Sequence, residues 1–340
     1  MANTIKVAVL GSTGYTGLEL INILNKHPKI DIVFLGSKNS KGKKLQNIYP
    51  TFKKYNLPVL KDYSEINYNN VDLVFLSLPH KISQKTICKD YGKTKFIDLS
   101  GDFRLKNHKV YSENYKTKHI CKNLLKKFVY GLPELNYDLI KSASNISVPG
   151  CYPTSILIPI APLISKNLIK TDNIIIDSKS GYSGAGKKFN IEKLIKKNNL
   201  NFYNYNTNQH RHICEIKQEL EKISSSKVKF SFNPHILPIF RGMMSTIYCD
   251  LENNIKKRDV IENIKKHYLK SYFVKILNKN KTADFYTVNY SNDCLIKFYD
   301  HYDNKKIIIV SLIDNLMKGA SGQAVQSMNI MFGFNENLGL

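Results

Sequence analysis

The fold is decided by residues 5–17, which read IKVAVLGSTGYTG. The first six of these residues form a continuous apolar run, which is typical of a buried parallel strand. A glycine-rich turn follows, and residues 18–26 then have the composition of a helix. A second apolar strand is predicted over residues 31–36. Strand, turn, helix and strand in this order predict a right-handed crossover between parallel strands.

Further segments along the chain extend this alternation. Apolar runs at residues 71–78 and 96–99 predict two more buried strands, so the first part of the chain reads as a doubly wound α/β sheet. The pattern of predicted elements changes near Ser147, after which longer strands are predicted. The later elements that we expect are strands at 173–177, 228–232, 243–251 and 306–314 and helices at 258–272 and 320–332.

Composition indicates a globular protein of about two domains. The chain has 340 residues, of which 42% are hydrophobic and 23% charged. There is no apolar run of membrane-spanning length, and residues 1–6 lack the features of an export signal, so we expect a cytoplasmic location and no membrane contact. The six cysteines include no Cys-x-x-Cys pair, which predicts reduced thiols and no metal site.

The formal net charge of +24 raises the alternative of a nucleic-acid-binding protein. The lysines are scattered among Asn and Ile along the whole chain, and the densest clusters, at 41–44 and 187–188, are short. This distribution favours a solvated basic surface with no nucleic-acid partner. Such a surface also attracts small anionic substrates.

The glycine-rich turn has the physical features of a dinucleotide site. Its glycines are spaced G-x-x-G-x-x-G, which differs from the common G-x-G-x-x-G, but they still allow a close backbone approach to a pyrophosphate at a helix start. The predicted cofactor-binding residues of the turn are Gly11, Ser12, Thr13, Gly14, Tyr15, Thr16 and Gly17. After the second strand, Ser37 and Lys38 stand where a carboxylate would select NAD, so NADP is favoured.

Cys151 is the candidate nucleophile. It lies in the segment SVPGCYPT, residues 147–154, directly before an apolar run at 155–163 that is able to start a helix. A thiol at a helix N-terminus is favoured as the thiolate by the helix dipole. The alternative is a buried structural cysteine, since a small apolar thiol is usually part of a core. A nucleophilic cysteine together with a hydride carrier indicates aldehyde or acyl chemistry.

A second glycine-rich segment, residues 181–188, reads GYSGAGKK and is close to a Walker P-loop. Lys188 occupies the position of the Ser or Thr that should hold Mg²⁺, which disfavours an NTP-dependent phosphotransferase. A glycine loop near an anionic ligand is the preferred interpretation. A helix is expected to follow at residues 189–197.

Histidines and arginines supply candidates for proton transfer and anion binding. His210-Arg211-His212 stands before a helical stretch, which suggests acid–base chemistry. Arg104 and Arg241 are further candidates for holding a carboxylate or phosphate, because a planar guanidinium gives two aligned donors. For each arginine a structural salt bridge is the open alternative.

Taken together, these segments resemble the N-acetyl-γ-glutamyl-phosphate reductases, relatives of the aspartate-semialdehyde dehydrogenases. The resemblance covers nearly the whole chain, and the Pro-Gly-Cys-Tyr-Pro-Thr and His-Arg-His segments are specific in combination. The segments that carry it are 11–17, FLSLPH at 75–80, IDLSGDFR at 97–104, YGLPELN at 130–136, PGCYPT at 149–154, 178–187, 210–216, 234–242 and KGASGQA at 318–324. Two residues depart from the family pattern: Cys214 replaces a usual proline, and Ser321 replaces a common alanine.

The resemblance implies a split architecture and a set of roles. A Rossmann-type nucleotide domain would take residues 1–148 and 315–340, and an α+β catalytic and oligomerisation domain with a mixed sheet would take 149–314. The implied oligomer is a homodimer or homotetramer. The implied site residues are Cys151 as nucleophile and His212 as acid–base partner, with Ser183, Gly184 and Asn315 for the cofactor and Arg104, Arg211 and Glu215 for the substrate.

The resemblance also implies the reaction, which is NADPH-dependent reduction of N-acetyl-γ-glutamyl phosphate through a cysteine thioester in arginine biosynthesis. Composition and spacing do not identify the acyl-amino acid, so aspartyl phosphate and a carrier-linked aminoadipyl phosphate remain alternatives at this stage.

Overall fold

The computed structural model describes residues 4–197 and 199–340. The chain forms two compact units. Unit 1 ends at Pro149 and takes in Ala320–Leu340, and unit 2 is Gly150–Gly319. Unit 2 is therefore an insertion in the chain of unit 1.

Unit 1 is built on a seven-stranded sheet in which every neighbouring pair is parallel. The strand order is β3-β2-β1-β4-β5-β7-β6. The doubly wound α/β prediction is thus confirmed. Its strands are β1 (Ile5–Leu10), β2 (Ile30–Gly36), β3 (Leu60–Lys61), β4 (Leu73–Leu76), β5 (Lys95–Asp98), β6 (Val129–Tyr130) and β7 (Asn145–Ser147). Its helices are α1 (Tyr15–Leu24), α2 (Leu45–Ile48), α3 (Ile82–Asp90), α4 (His108–Tyr115), α5 (Pro133–Lys141) and α9 (Gly322–Met331).

The first crossover shows why its sequence gives this fold. The last four residues of β1 are buried, as expected of a strand covered on both faces. Gly11 then turns the chain with φ +86°, a conformation that favours glycine. A Cβ on Gly17 would lie 2.2 Å from the Gly11 carbonyl oxygen, so α1 packs closely only because this position is glycine. Helix α1 begins at Tyr15, three residues before the predicted start.

Helix α9 completes unit 1 although it is distant in sequence. All ten of its residues are buried, including four polar ones. The amide oxygen of Asn329 lies 2.9 Å from His27 Nε2, and the Asn329 amide group donates to the carbonyl oxygens of Glu336 and Leu338. The buried Asn329 side chain is therefore hydrogen-bonded within unit 1.

Unit 2 contains a second, mixed seven-stranded sheet, with the order β11-β12-β8-β13-β16-β15-β14. Its strands are β8 (Ile174–Gly181), β11 (Tyr203–Asn204), β12 (Phe230–Leu237), β13 (Met243–Asp250), β14 (Val274–Ile276), β15 (Cys294–Asp300) and β16 (Lys306–Ile313), beside a small hairpin of β9 (Ile195–Lys196) and β10 (Asn199–Leu200). Its helices are α6 (Cys151–Ser165), α7 (His212–Glu221) and α8 (Lys257–His267).

The apolar run after Cys151 forms a helix, as predicted. In α6 every residue from Tyr152 to Ile164 is buried, so the helix is apolar around its whole circumference. Cys151 is its first residue. The nucleophile candidate is thereby attached to the most buried helix of unit 2.

Two local predictions were wrong. The helix expected at residues 189–197 is replaced by a short 3₁₀ turn, Ile191–Lys193, and by strand β9. The Asn190 side chain accepts from the Glu192 amide, which caps the 3₁₀ turn, and β9 then pairs with β10. In unit 1, Cys88 and Cys121 form a disulfide with Cα atoms 5.9 Å apart, although all six cysteines were expected to be reduced thiols. The spacing of 33 residues gave no signal, because the fold alone brings the two together.

Within the described ranges, 4–197 and 199–340, no helix has the length and apolar character needed to cross a membrane.

Candidate active site

Cys151 occupies the first position of α6. The preceding residue, Gly150, is the N-cap, with extended backbone angles of φ −69° and ψ 155° and no capping side chain. The positive end of the helix dipole therefore acts directly on the half-exposed Cys151 thiol. This is the environment in which a thiol is activated as a nucleophile.

Two glycines allow other groups to approach Cys151 closely. A Cβ on Gly150 would lie 2.4 Å from His212 Nε2, and a Cβ on Gly319 would lie 2.7 Å from the Cβ of Cys151. His212 therefore packs against the residue before the nucleophile, and Gly319 packs against the nucleophile itself. Any larger side chain at either position would displace one of these groups.

Helix α7 supplies two of the predicted residues from one face. His212 is its first residue and Glu215 stands one turn later, and both are buried. Oε1 of Glu215 accepts a hydrogen bond from the Gly150 amide at 2.9 Å. Glu215 thus fixes the backbone directly before Cys151. The structure brings Cys151, His212 and Glu215 together within unit 2.

His210 contacts His212 through a hydrogen bond and through its ring. The backbone amide of His212 donates to Nδ1 of His210 at 3.1 Å, and the two ring centroids are 4.7 Å apart. Burial, with a smaller contribution from the Arg211 charge, lowers the pKa of His210 to about 4. His210 is therefore neutral near pH 7 and can accept this hydrogen bond. The edge of Tyr152 also packs on both histidine rings.

The arginines differ in their surroundings. Arg211 is exposed, and its carbonyl oxygen accepts from the Cys214 thiol at 2.9 Å. Arg241 is buried, and its Nη1 donates to Oδ2 of Asp314 at 2.9 Å. Its guanidinium also stacks 4.0 Å from the ring centroid of Tyr290. For Arg241 the structural salt bridge that the sequence left open is the observed arrangement.

The cofactor-binding residues predicted in unit 2 lie together at the second glycine-rich loop. Nδ2 of Asn315 donates to Oγ of Ser183 at 2.8 Å, and the Gly242 amide donates to Oδ1 of Asn315 at 2.8 Å. A Cβ on Gly184 would lie 3.6 Å from the same Nδ2. Asn315 therefore connects the loop at 182–185 to the end of β16.

The first glycine-rich turn, in unit 1, has the shape required of a dinucleotide cradle. The amides of Gly11 and Ser12 both donate to the Gly36 carbonyl at 3.0 Å, which fixes the turn against the end of β2. Oγ1 of Thr13 lies 3.3 Å from Oγ of Ser37. The N-cap of α1, Gly14, has no side chain, and Tyr15–Gly17 form the first helical turn. The residues present fit a bound pyrophosphate.

The loop after β2 is basic, as the sequence indicated. Lys38 is exposed directly after the buried Ser37. Lys41 forms an exposed ion pair with Glu65 at 2.9 Å, so its charge is partly compensated. Lys38 stays the predicted contact for a ribose 2′-phosphate.

Arg104 is buried in unit 1. Its Nε donates to the Val148 carbonyl at 2.7 Å and its Nη2 to the Leu99 carbonyl at 3.0 Å. Arg104 thus holds the backbone that leads towards Cys151 along the chain.

Sequence reasoning missed two contributors to the site. The sequence indicates Gly319 only as part of the KGASGQA motif and gives no signal for Asp314. The Asp314 carboxylate accepts from the amides of Leu316 and Met317 as well as from Arg241, and its carbonyl accepts from the Gly319 amide. Asp314 therefore shapes the turn that brings Gly319 to Cys151. The KGASGQA segment at 318–324 indicates a functional motif, but the sequence does not show that Gly319 contacts Cys151.

Comparisons with known proteins identify the family and the fold. Residues 6–143 match the family model described as "Semialdehyde dehydrogenase, NAD binding domain", and residues 151–315 match "Semialdehyde dehydrogenase, dimerisation domain". Aspartate semialdehyde dehydrogenase II from Vibrio cholerae has the same fold, with a TM-score of 0.74 over 98% of this chain and 99% of that one at 16% identity. The enzyme from Candida albicans, solved with NADP, gives 0.71 over 99% and 100% at 17% identity. Fold and site together define a protein of the semialdehyde dehydrogenase class.

Relatives of higher sequence identity show which family within this class the chain belongs to. The chain is 43% identical over 345 residues to the N-acetyl-gamma-glutamyl-phosphate reductase of Brachyspira hyodysenteriae, and 42% identical over 340 residues to that of Alkaliphilus metalliredigens; each alignment covers 99% of this chain and 98% of the relative. A probable chloroplastic reductase of Arabidopsis thaliana is 39% identical over 99% of this chain and 84% of its own length. The chain belongs to the N-acetyl-gamma-glutamyl-phosphate reductase family, and the resemblance stated from the sequence is confirmed.

Proposed function

We propose that the protein reduces N-acetyl-γ-glutamyl phosphate to N-acetylglutamate 5-semialdehyde and phosphate, using NADPH, in arginine biosynthesis. The observation that carries this proposal is the position of Cys151, at the first residue of α6 with His212 packed against the residue before it. The identity of the proposed substrate comes from the names of the family relatives.

The reaction begins at the Cys151 sulfur. His212 takes the thiol proton, and the thiolate attacks the acyl carbon of the substrate. Backbone amides in the first turn of α6 stabilise the oxyanion that forms. The carbon–oxygen bond to phosphate then breaks, phosphate leaves with the electron pair, and a thioester remains on Cys151.

NADPH, when bound, supplies the hydride that reduces the thioester carbon. The tetrahedral oxyanion then collapses to the aldehyde as its bond to the Cys151 sulfur breaks, and His212 returns the proton to that sulfur. Glu215 holds the Gly150 amide throughout, which keeps the start of α6 in one position. A fixed sulfur atom is what covalent catalysis requires, because a nucleophile must lie close to its target and be aligned with it.

The residues proposed to hold the cofactor fall into two sets. In unit 1 they are Gly11, Ser12, Thr13, Gly14, Tyr15, Thr16 and Gly17 for the pyrophosphate, and Ser37 and Lys38 for the 2′-phosphate. In unit 2 they are Ser183, Gly184 and Asn315, supported by the bond between Asn315 and Ser183. Replacing Ser37 by Asp should raise the KM for NADP and leave the KM for NAD nearly unchanged, because the new carboxylate repels the 2′-phosphate.

Substrate anions are assigned to arginines. Arg104 is proposed to hold the phosphate, because a planar guanidinium gives aligned donors, and exposed Arg211 is proposed to hold the substrate α-carboxylate. Glu215, which is buried beside Gly150, is proposed to complete the substrate site.

We propose that the protein is a homo-oligomer, a dimer or a tetramer. An apolar row crosses four neighbouring strands of the second sheet, because Ile175 pairs with Tyr248, Tyr248 with Ile308 and Ile308 with Tyr299. Ile175 is 46% exposed, and both tyrosines are 37% exposed. Exposed rows of this kind are typical of association surfaces. Replacing Tyr248 by Lys should lower the mass measured by sedimentation.

The decisive experiment is phosphate-dependent reduction of NADP⁺ by purified protein. Turnover is expected with N-acetylglutamate semialdehyde and not with aspartate semialdehyde. Cys151→Ser should abolish turnover and leave NADPH binding intact, since a hydroxyl is far less accessible than a thiol as a nucleophilic anion near neutral pH. Preference for aspartate semialdehyde, or a loss of only a few-fold in kcat for the variant, would overturn the proposal. Cell fractionation would test the proposed cytoplasmic location.

A further inference from the structure

We infer that Cys88 and Cys121 form a redox-responsive disulfide that controls the mobility of the Asp102–Arg104 loop in unit 1. Cys88 lies near the end of α3, and Cys121 directly precedes the short 3₁₀ segment Lys122–Lys127. The two cysteines are paired in the structure, and their Cα separation of 5.9 Å is in the range of natural disulfides. In the proposed cytoplasmic location disulfides are typically transient and redox-sensing, so the pair is expected to open and close.

The two sulfur atoms differ in access. Cys121 is buried, and its sulfur lies 3.6 Å from the Gln84 carbonyl oxygen. Cys88 is half-buried, with exposed Lys89 beside it. A small anionic disulfide such as oxidised glutathione is attracted to this basic surface and can reach Cys88 first. The reaction that closes the pair can therefore start at Cys88 and finish at Cys121.

The step is thiol–disulfide exchange. The Cys88 thiolate attacks one sulfur of glutathione disulfide, and one glutathione thiolate leaves. The Cys121 thiolate then attacks the Cys88 sulfur of the mixed disulfide, and the second glutathione leaves. The protein loses two electrons and two protons in forming the disulfide, and glutathione disulfide is reduced to two molecules of glutathione.

The pair connects two segments that both hold Asp102. From α3, the Gln84 amide donates to Oδ2 of Asp102 at 3.0 Å. From the other segment, His119 Nε2 lies 2.9 Å from the Asp102 carbonyl oxygen, and the Cys121 amide donates to His119 Nδ1 at 3.2 Å. Asp102 stands two residues before Arg104. Closing the disulfide therefore restricts the two segments that hold Asp102, and with them the backbone that carries Arg104.

Two consequences are expected. Amide hydrogen exchange in residues 82–90 and 119–127 should slow at least tenfold on oxidation, and the melting temperature should rise by about 5 °C or more, because the disulfide closes a long loop of the unfolded chain. The KM for phosphate should fall about threefold, since a preordered Arg104 loses less freedom on binding. This last effect rests on the proposed function.

The structural test uses the full-length protein equilibrated with glutathione and glutathione disulfide in different ratios. After denaturing alkylation with N-ethylmaleimide, peptide mass analysis should find the Cys88 peptide linked to the Cys121 peptide in oxidised samples only. Cys88→Ser and Cys121→Ser should each abolish this link and the temperature shift. The matched control, Cys214→Ser, should keep both. No linked peptide at any glutathione ratio in the wild type, a measurement that needs no variant to fold, would overturn the inference.

The functional test must separate the pair from Cys151, which oxidants also attack. Wild type and Cys88→Ser are treated identically, so a fall in kcat common to both reports on Cys151. A change in the KM for phosphate restricted to wild type supports the inference, and equal values in both proteins with the link present would overturn control of the Arg104 loop. If the proposed reaction itself fails, no turnover is seen in either protein, while the linked peptide and the exchange rates still report on the pair.

Discussion

Replacing Gly319 by Ala should disable the enzyme without unfolding it. The added Cβ would lie 2.7 Å from the Cβ of Cys151 and 3.3 Å from its Cα. Carbon atoms in contact are normally about 3.5–4.0 Å apart, so the two residues must separate by roughly 1 Å. Asp314 anchors the Gly319 turn, and Glu215 anchors Gly150, so neither side can move without weakening its hydrogen bonds. A nucleophile misplaced by about 1 Å costs on the order of 100-fold in kcat.

The measurement is kcat for phosphate-dependent NADP⁺ reduction, together with the rate at which iodoacetamide alkylates Cys151. Both should fall in Gly319→Ala, whereas the KM for NADP should stay within about twofold. Gly92→Ala is the control: no atom lies within 4 Å of its added Cβ, and its φ of +88° costs only stability, about 1 kcal/mol. A kcat within threefold of wild type in a folded Gly319→Ala protein would refute this reasoning.

Three further predictions concern proton transfer, burial and anion binding. His212→Asn should lower kcat by roughly 10²–10⁴-fold, the usual contribution of a positioned acid–base group, and His210→Asn should lower it less; the reverse order in steady-state kinetics would exchange their roles. Burial, followed by the neighbouring Asp102 charge, raises the pKa of Asp98 to about 6. Protonated Asp98 therefore contributes stability that is fully present below its unfolded pKa of 3.8 and is lost as the pH rises through about 6. Urea unfolding of wild type and Asp98→Asn should therefore differ by about 2 kcal/mol more at pH 7 than at pH 4, to the disadvantage of wild type, and the same pH dependence of unfolding in both proteins would contradict the raised pKa. Arg104→Lys should raise the KM for phosphate more than that for semialdehyde, and Arg211→Lys should do the opposite; equal changes in both constants for both variants would remove the assignment.

Features encoded by neighbouring residues could be predicted from the sequence. The glycine turn after β1 is one, because strand, turn and helix signals stand side by side in residues 5–24. The helix start at Cys151 is another, since Gly150 and the apolar run after Tyr152 mark it locally. In both cases the residues that define the feature are also the residues that form it.

Features that depend on pairing across the fold could not be predicted. Strand β8 was predicted only over residues 173–177, before the polar stretch that begins at Ser178. It continues to Gly181 since Oγ of Ser178 lies 2.7 Å from Oγ of Ser245 on β13, which satisfies this buried hydroxyl. The approach of Gly319 to Cys151 likewise joins residues that are far apart in the sequence, and no local pattern reports it.

The insertion of unit 2 into unit 1 sets an order of events during synthesis. Helix α9 is buried throughout, yet the ribosome makes it only after all of Gly150–Gly319. Until then, the surfaces of α1 and α5 that pack against α9 stay exposed. The nucleotide-binding unit is therefore the first to begin folding and the last to be completed. Apolar surface exposed on an unfinished domain is where aggregation begins. The emerging chain must therefore keep that surface from misassociating for as long as the ribosome takes to make about half of the protein.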